Sequence, residues 1–292
     1  MRLGFDPVDF DYDPNEFAEE EAHLYDEYEQ NAETAILETI SQQQVVTDRE
    51  LKVRLERRFF PWIVGRVVNR LIAGGNVKIV HPPGRKGGMG TPDNFYLDKS
   101  ADYEKLLKTI LRKKRVSVYV NSLLTRVSPA GFYAEEIFES AFNSLRFKIH
   151  GTGVSEFAGK KVVGTPGKQP PDLDFVIEKD DIVYGVDVKN WIKYEFDSID
   201  NVMSKVALAV QLGVIPFICA RYVDKDTFFK VVSVPGLVYS YETLILPPEF
   251  QTLAEEARTL LGYPVFVGEA FPQHKLDFIN KLHGITVKKL RG

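Results

Sequence analysis

The chain has 292 residues, enough for one large domain or two modest ones, and 44% apolar with 27% charged residues is the balance of an ordinary globular protein rather than a disordered or fibrous one. No apolar run reaches the roughly 18 residues of a membrane-spanning helix, so no membrane partner is expected; the acidic start lacks the basic-then-apolar pattern of a signal peptide. One cysteine, Cys219, excludes an intrachain disulfide and favours a cytoplasmic location, and five scattered histidines exclude a Cys/His zinc motif.

The net charge of −4 is unevenly placed. Residues 1–30 hold 11 Asp/Glu and one Arg, a local charge of −10, which leaves +6 for the other 262 residues. A mildly basic body is compatible with a nucleic-acid partner, because phosphate binding depends on local charge. The acidic stretch reads as a poorly ordered or partly helical arm, with Phe5, Phe10, Tyr12, Phe17, Tyr25 and Tyr28 interleaved. Two roles are open to it: packing on its own domain or a dimer mate, or covering a basic surface as a DNA mimic.

Residues 31–98 read as three helices and a hairpin. Ala32–Gln43 forms the first helix, with Ala35, Ile36 and Ile40 on one face. Thr47-Asp48-Arg49-Glu50 is a capping box opening the second. Pro61 suits the first turn of the third, which Gly74-Gly75 ends; Val64, Val67, Val68, Leu71 and Ile72 give it a buried face, while Arg66 and Arg70, four apart, share an exposed one. Strands over 76–81 and 94–97 flank a glycine-rich loop containing Arg85 and Lys86. Between Glu50 and Gly90 there are nine Lys/Arg and two Asp/Glu. This pattern resembles a winged helix-turn-helix, a resemblance that implies a third helix in the major groove and a wing on neighbouring phosphate.

Residues 99–130 read as a connector: a helix over 101–111, the basic cluster Arg112-Lys113-Lys114-Arg115 at its end, and a strand over 116–124. The break Ser128-Pro129-Ala130-Gly131 marks a domain boundary. Beyond it, Tyr133–Leu145 has a wide apolar face, a strand follows over 146–150, and residues 151–170 form a Gly-, Lys- and Pro-rich loop.

Two strands come next, Pro171–Ile177 and Val183–Asn190, joined by a polar gap of hairpin length. Residues two apart in a strand share a face, so Asp172 and Asp174 point the same way, as do Asp187 and Lys189. Asp174 and Asp187 interrupt runs that otherwise read as buried, where a lone carboxylate is costly unless paired or bound to metal. Two carboxylates and an ammonium on adjacent strands suit Mg²⁺ or Mn²⁺, which shares its coordination with water and substrate phosphate. A helix over 198–212 and a strand over 214–220 follow. After them, 228–232 and 238–241 read as strands, 247–261 as a helix, 265–267 as a strand and 274–283 as a helix, with a frayed basic end.

Pro171-Asp172 or Asp174, followed by Asp187-Val188-Lys189, resembles the PD-(D/E)xK nuclease superfamily over residues 131–222. The spacing admits either Asp172 or Asp174; the apolar run directly after Asp174 favours it. The resemblance implies a restriction-endonuclease-like α/β fold, a mixed sheet flanked by helices, preceded here by the α+β winged-helix-like unit. It also implies metal held by Asp174 and Asp187, a further acid from the preceding helix (Glu135, which shares a face with Phe138 and Phe142), and Lys189 positioning the attacking water. The division expected is an acidic arm at 1–30, the winged-helix-like domain at 31–98, the connector at 99–130 and the nuclease-like domain at 131–292. The function expected is a Mg²⁺-dependent DNA endonuclease. Arg66, Arg70, Arg85, Lys86, Arg112, Lys113, Lys114 and Arg115 would bind DNA, and a homodimer is expected. The alternative is a DNA-binding regulator or assembly subunit with the same fold and no metal. A third option acts on RNA or branched DNA.

Overall fold

The computed structural model of the protein describes residues 14–82, 94–124, 129–162, 170–192 and 197–291. Its N-terminal part runs α1 (Pro14–Gln43), β1 (Val45–Thr47), α2 (Asp48–Leu55), α3 (Pro61–Ala73), β2 (Val77–Val80) and β3 (Phe95–Asp98). β3 lies between β1 and β2 and is antiparallel to both. α1 begins well before Ala32 and takes in much of the acidic stretch, which past Pro14 is rich in the helix formers Glu, Ala and Leu. The capping box forms as expected: the Glu50 amide donates to Thr47 Oγ1 (3.0 Å) and the Thr47 amide to Glu50 Oε2 (3.3 Å). Ile36 and Ile40 of α1, Leu51 and Leu55 of α2, and Val64, Val67, Val68 and Leu71 of α3 close one core.

Several expectations fail in the middle and late chain; the loop expected over 151–170, for one, holds the end of a strand at Val154 and short strands at Glu156–Phe157 and Lys160–Lys161. α4 (Tyr103–Leu123) is one continuous helix, so the strand expected over 116–124 does not exist and Arg112–Arg115 lies mid-helix. The valines that read as a strand fall on a helical stripe instead: Ile110, Lys113, Val116, Ser117 and Val120 are its buried residues. Intrinsic β-propensity is a weak prior that tertiary packing overrides. Likewise the strand expected over 228–232 is helical: Asp224 caps the helix through Thr227 N, and Thr227 and Val231, four apart, are buried while Phe228, Phe229 and Val232 stay exposed.

The remaining elements are α5 (Pro129–Ser144), β4 (Lys148–Val154), β5 (Glu156–Phe157), β6 (Lys160–Lys161), β7 (Leu173–Lys179), β8 (Ile182–Lys189), α6 (Asp197–Leu212), β9 (Ile215–Ala220), α7 (Lys225–Ser233), β10 (Leu237–Ser240), β11 (Leu244–Leu246), α8 (Gln251–Glu256), β12 (Val265–Val267) and α9 (Gln273–Arg291). Pro129 and Gly131 lie inside α5, and the basic C-terminal residues to Arg291 continue α9. Five strands form a mixed sheet in the order β10-β9-β8-β7-β4, with β4, β7 and β8 antiparallel and β8, β9 and β10 parallel. α6 and α7 are the crossovers that parallel pairing requires. Ile137, Phe138, Ala141 and Phe142 of α5 and Ile279 of α9 pack one face of the sheet; Leu208, Ala209 and Leu212 of α6 pack the other.

β7 and β8 join through Asp180–Asp181, both at positive φ (53° and 61°), as a two-residue turn matching the strand twist requires. At the opposite end the ladder stops at the Phe175–Val186 pair. Gly185 brings α6 close to the sheet: a Cβ there would lie 2.6 Å from Leu173 Cδ1 and 2.7 Å from Val214 Cγ2.

Candidate active site

The end of the β7–β8 ladder is where the expected carboxylates meet. Val188 N donates to Asp174 Oδ2 at 2.6 Å, so a side chain stands where a strand partner would otherwise accept. Asp174 is thus tied to the strand that carries Asp187 and Lys189. Asp172 precedes β7 and is about half exposed, which separates the two candidates the spacing left open.

Asp187 is fully buried. Its Oδ1 accepts from Lys189 Nζ at 2.7 Å, the contact that the two-residue period of a strand predicts. A second ammonium, Lys205 Nζ of α6, lies 3.5 Å from the same oxygen and 3.5 Å from Asp172 Oδ1, and donates to the Asp172 carbonyl. Among the described residues Asp187 Oδ2 has no hydrogen-bond partner. A buried anionic oxygen without a donor is expensive, and a cation is the chemical complement it lacks.

The electrostatics follow. Burial, then the Asp187 charge, pushes Asp174 up to about 6 against the pull of Lys189. Glu135, on the first turns of α5, is pushed up to about 7 by burial and by Asp174, with Lys189 opposing. For Lys189, burial acts downward but Asp187 and Asp174 outweigh it, so it is held above the ordinary lysine value. Lys189 is therefore a firm ammonium: it can orient water or phosphate by donation and is unsuited to taking a proton.

Among the described residues no three His, Cys, Asp or Glu side chains converge closely enough to hold an ion, so Glu135, Asp174 and Asp187 do not make a closed three-ligand centre. Two carboxylates with an open oxygen nonetheless fit Mg²⁺ or Mn²⁺, which need only one or two carboxylates beside water and phosphate. Asn190, directly after Lys189, is used structurally: its amide donates to Ala130 O (2.9 Å) and Ile245 O (2.7 Å) and accepts from Ile245 N (3.0 Å).

The chain matches no family model and no curated protein. The site therefore stands on its own geometry.

The residues expected to bind DNA divide sharply. Arg85 and Lys86 lie outside the described residues. Lys113 is 3% exposed and donates to Glu50 at 2.8 Å and to Val45 O at 2.7 Å, so it is enclosed in the fold and unable to reach phosphate. Burial lowers its pKa, with Glu50 opposing. Arg112 and Arg115 both reach Glu256, at 3.2 and 2.9 Å, and Lys114 is partly buried on the same helix. Arg66 and Arg70 remain on the exposed face of α3 but are engaged by α1: Arg66 with Glu29, Arg70 with Glu29 and Glu33.

Lys205 is the site residue that sequence reasoning missed. Its signal was present: in α6 it sits three residues after buried Val202 and four before buried Ala209, a lysine in an apolar stripe.

Proposed function

We propose that the protein is a divalent-metal-dependent nuclease of the PD-(D/E)xK kind, acting on DNA, with residues 31–98 as a winged helix-turn-helix. The observation that carries this reading is Asp187 Oδ2, without a hydrogen-bond partner among the described residues, buried beside Asp174 and flanked by Lys189. The helix–strand–helix–helix–strand–strand order of the N-terminal part and the mixed five-stranded sheet support it.

Asp174 and Asp187 would hold the ion, which when bound polarises a phosphoryl oxygen and lowers the pKa of coordinated water. Lys189 donates to the nucleophile or to a non-bridging phosphate oxygen, and its charge counters that of the phosphorane. Asp174, anchored through Val188 N, keeps its carboxylate aimed at the β8 face. Glu135 is the group whose proton occupancy changes around neutral pH, which suits it to exchanging a proton with water at the site. A DNA backbone would approach along the exposed face of α3, which carries Arg66 and Arg70, and two copies acting together would account for cutting both strands.

A regulator with the same fold and no metal is the second reading, favoured by one observation: Lys189 and Lys205 already supply Asp187 with two ammonium neighbours. Mg²⁺- or Mn²⁺-dependent cleavage of plasmid, linear duplex, single-strand and four-way-junction DNA and of RNA decides between them. Cleavage by wild type that Asp187→Ala and Lys189→Ala lose, with duplex affinity retained, is the expected result. Cleavage surviving in either variant refutes the site; binding without cleavage in wild type selects the regulator.

A further inference from the structure

α1 and α3 carry opposite charges where they adjoin. The exposed residues of α3 include Trp62, Arg66, Asn69 and Arg70, with Arg66 lying over the Trp62 ring at 5.1 Å. Both arginines reach across to α1, Arg66 to Glu29, and Arg70 to Glu29 at 2.8 Å and Glu33 at 2.9 Å. What fixes α1 in place is independent of these pairs. The Tyr28 hydroxyl donates to Arg58 O (3.1 Å) and accepts from Phe60 N (3.0 Å), and its ring packs on Phe59 at 5.3 Å. Ala32, Ile36 and Ile40 then bury the following turns. The carboxylates are delivered to the arginines by this packing. They stand in a segment whose first 30 residues carry −10.

A carboxylate and a phosphate compete for the same guanidinium fork. Both arginine side chains are about half exposed, so their side of each pair is open to solvent and to exchange, while Glu29 is 13% exposed and Glu33 36%. We infer that the exposed face of α3 is a docking surface for the phosphate backbone of duplex DNA that the chain covers with its own acidic helix, so that phosphate binds by displacing Glu29 and Glu33. This rests on the DNA-binding part of the reading above and adds regulation to it. Affinity is set by exchange at Arg66 and Arg70 rather than by their charge alone.

The test is binding of a short fluorescent duplex to the full chain in chelator across a salt series, for wild type, Glu29→Gln/Glu33→Gln, Arg66→Gln/Arg70→Gln and all four together. The glutamate double variant is expected to bind about 3- to 30-fold tighter at low salt. Its salt dependence should stay close to that of wild type, since phosphate meets the same two arginines in both, whereas Arg66→Gln/Arg70→Gln should lower the slope by roughly 2. The same glutamate changes should do nothing once the arginines are gone. Glu33→Gln alone, on a partly exposed side chain, should show part of the gain. Glutamate variants that bind within about two-fold of wild type, or a gain that persists without Arg66 and Arg70, overturn the inference. Absence of duplex binding in every variant overturns it as well. The nuclease reading is judged separately by metal-dependent cleavage: loss of cleavage with the glutamate effect intact defeats only that reading, and cleavage without the glutamate effect defeats only this one.

Discussion

At Asp174 and Glu135 the folded state holds protons more tightly than the unfolded chain. Their pKa values rise from 3.8 to about 6 and from 4.5 to about 7. A raised carboxyl pKa contributes stability that is full below the unfolded value and lost as pH rises through the folded one. Metal-free protein should therefore melt at progressively lower temperature as pH climbs from about 4 to about 7, a trend that scanning calorimetry in chelator would measure and that Asp174→Asn with Glu135→Gln should flatten. Asp174→Asn alone should stabilise the metal-free protein at pH 8 by roughly 1–3 kcal/mol, since it removes repulsion from Asp187, while abolishing cleavage. A destabilised Asp174→Asn protein would show that the carboxylate is structural. Metal binding should release protons and weaken below about pH 6, which titration calorimetry in two buffers would detect.

The elements impose their own constraints. Gly185 has no room for a side chain against Leu173, Val214 and Ala209, so Gly185→Ala should cost about 1–3 kcal/mol in urea denaturation. It should also lower activity by pushing α6, and with it Lys205, away from Asp187. Lys113 illustrates the opposite error of reading charge as function. Lys113→Met leaves Glu50 buried with Arg54 as its one charged partner among the described residues and should cost about 3 kcal/mol or more, with duplex affinity of the folded protein unchanged. Lost affinity in a folded Lys113→Met would restore it to the DNA surface.

On the scale of the whole molecule, the N-terminal part and the sheet are joined by more than chain connectivity. Arg221, fully buried at the end of β9, reaches Glu56 after α2 with two bonds of 2.7 and 3.0 Å and donates to Trp191 O. Val53 of α2 shares a core cluster with Val116 and Val120 of α4 and with Leu244, Ala257 and Val265. α4 is thus a wall common to both parts rather than a spacer. Arg221→Ala should cost about 3–5 kcal/mol. It should also separate the unfolding of residues 14–98 from that of the sheet, visible as two transitions in hydrogen exchange.

The sequence by itself determined what depends on local period. The capping box, the apolar stripes of α3, α5 and α6, the β7–β8 hairpin and the shared face of Asp187 and Lys189 all follow from spacings of two or of three to four residues. Chain geometry enforces these without knowledge of the rest of the fold. The same reasoning misassigned residues 116–124 and 228–232, where short β-branched and aromatic runs fit either period and packing chose the helix. Tertiary structure alone decided which surfaces meet. It drew Asp174 rather than Asp172 onto β8, brought Lys205 to Asp187, enclosed Lys113 with Glu50, and set Glu29 and Glu33 against Arg66 and Arg70. A residue's charge is written in its side chain, but its partner lies tens of residues away, and only the closing of the apolar faces fixes which opposite charge comes within reach.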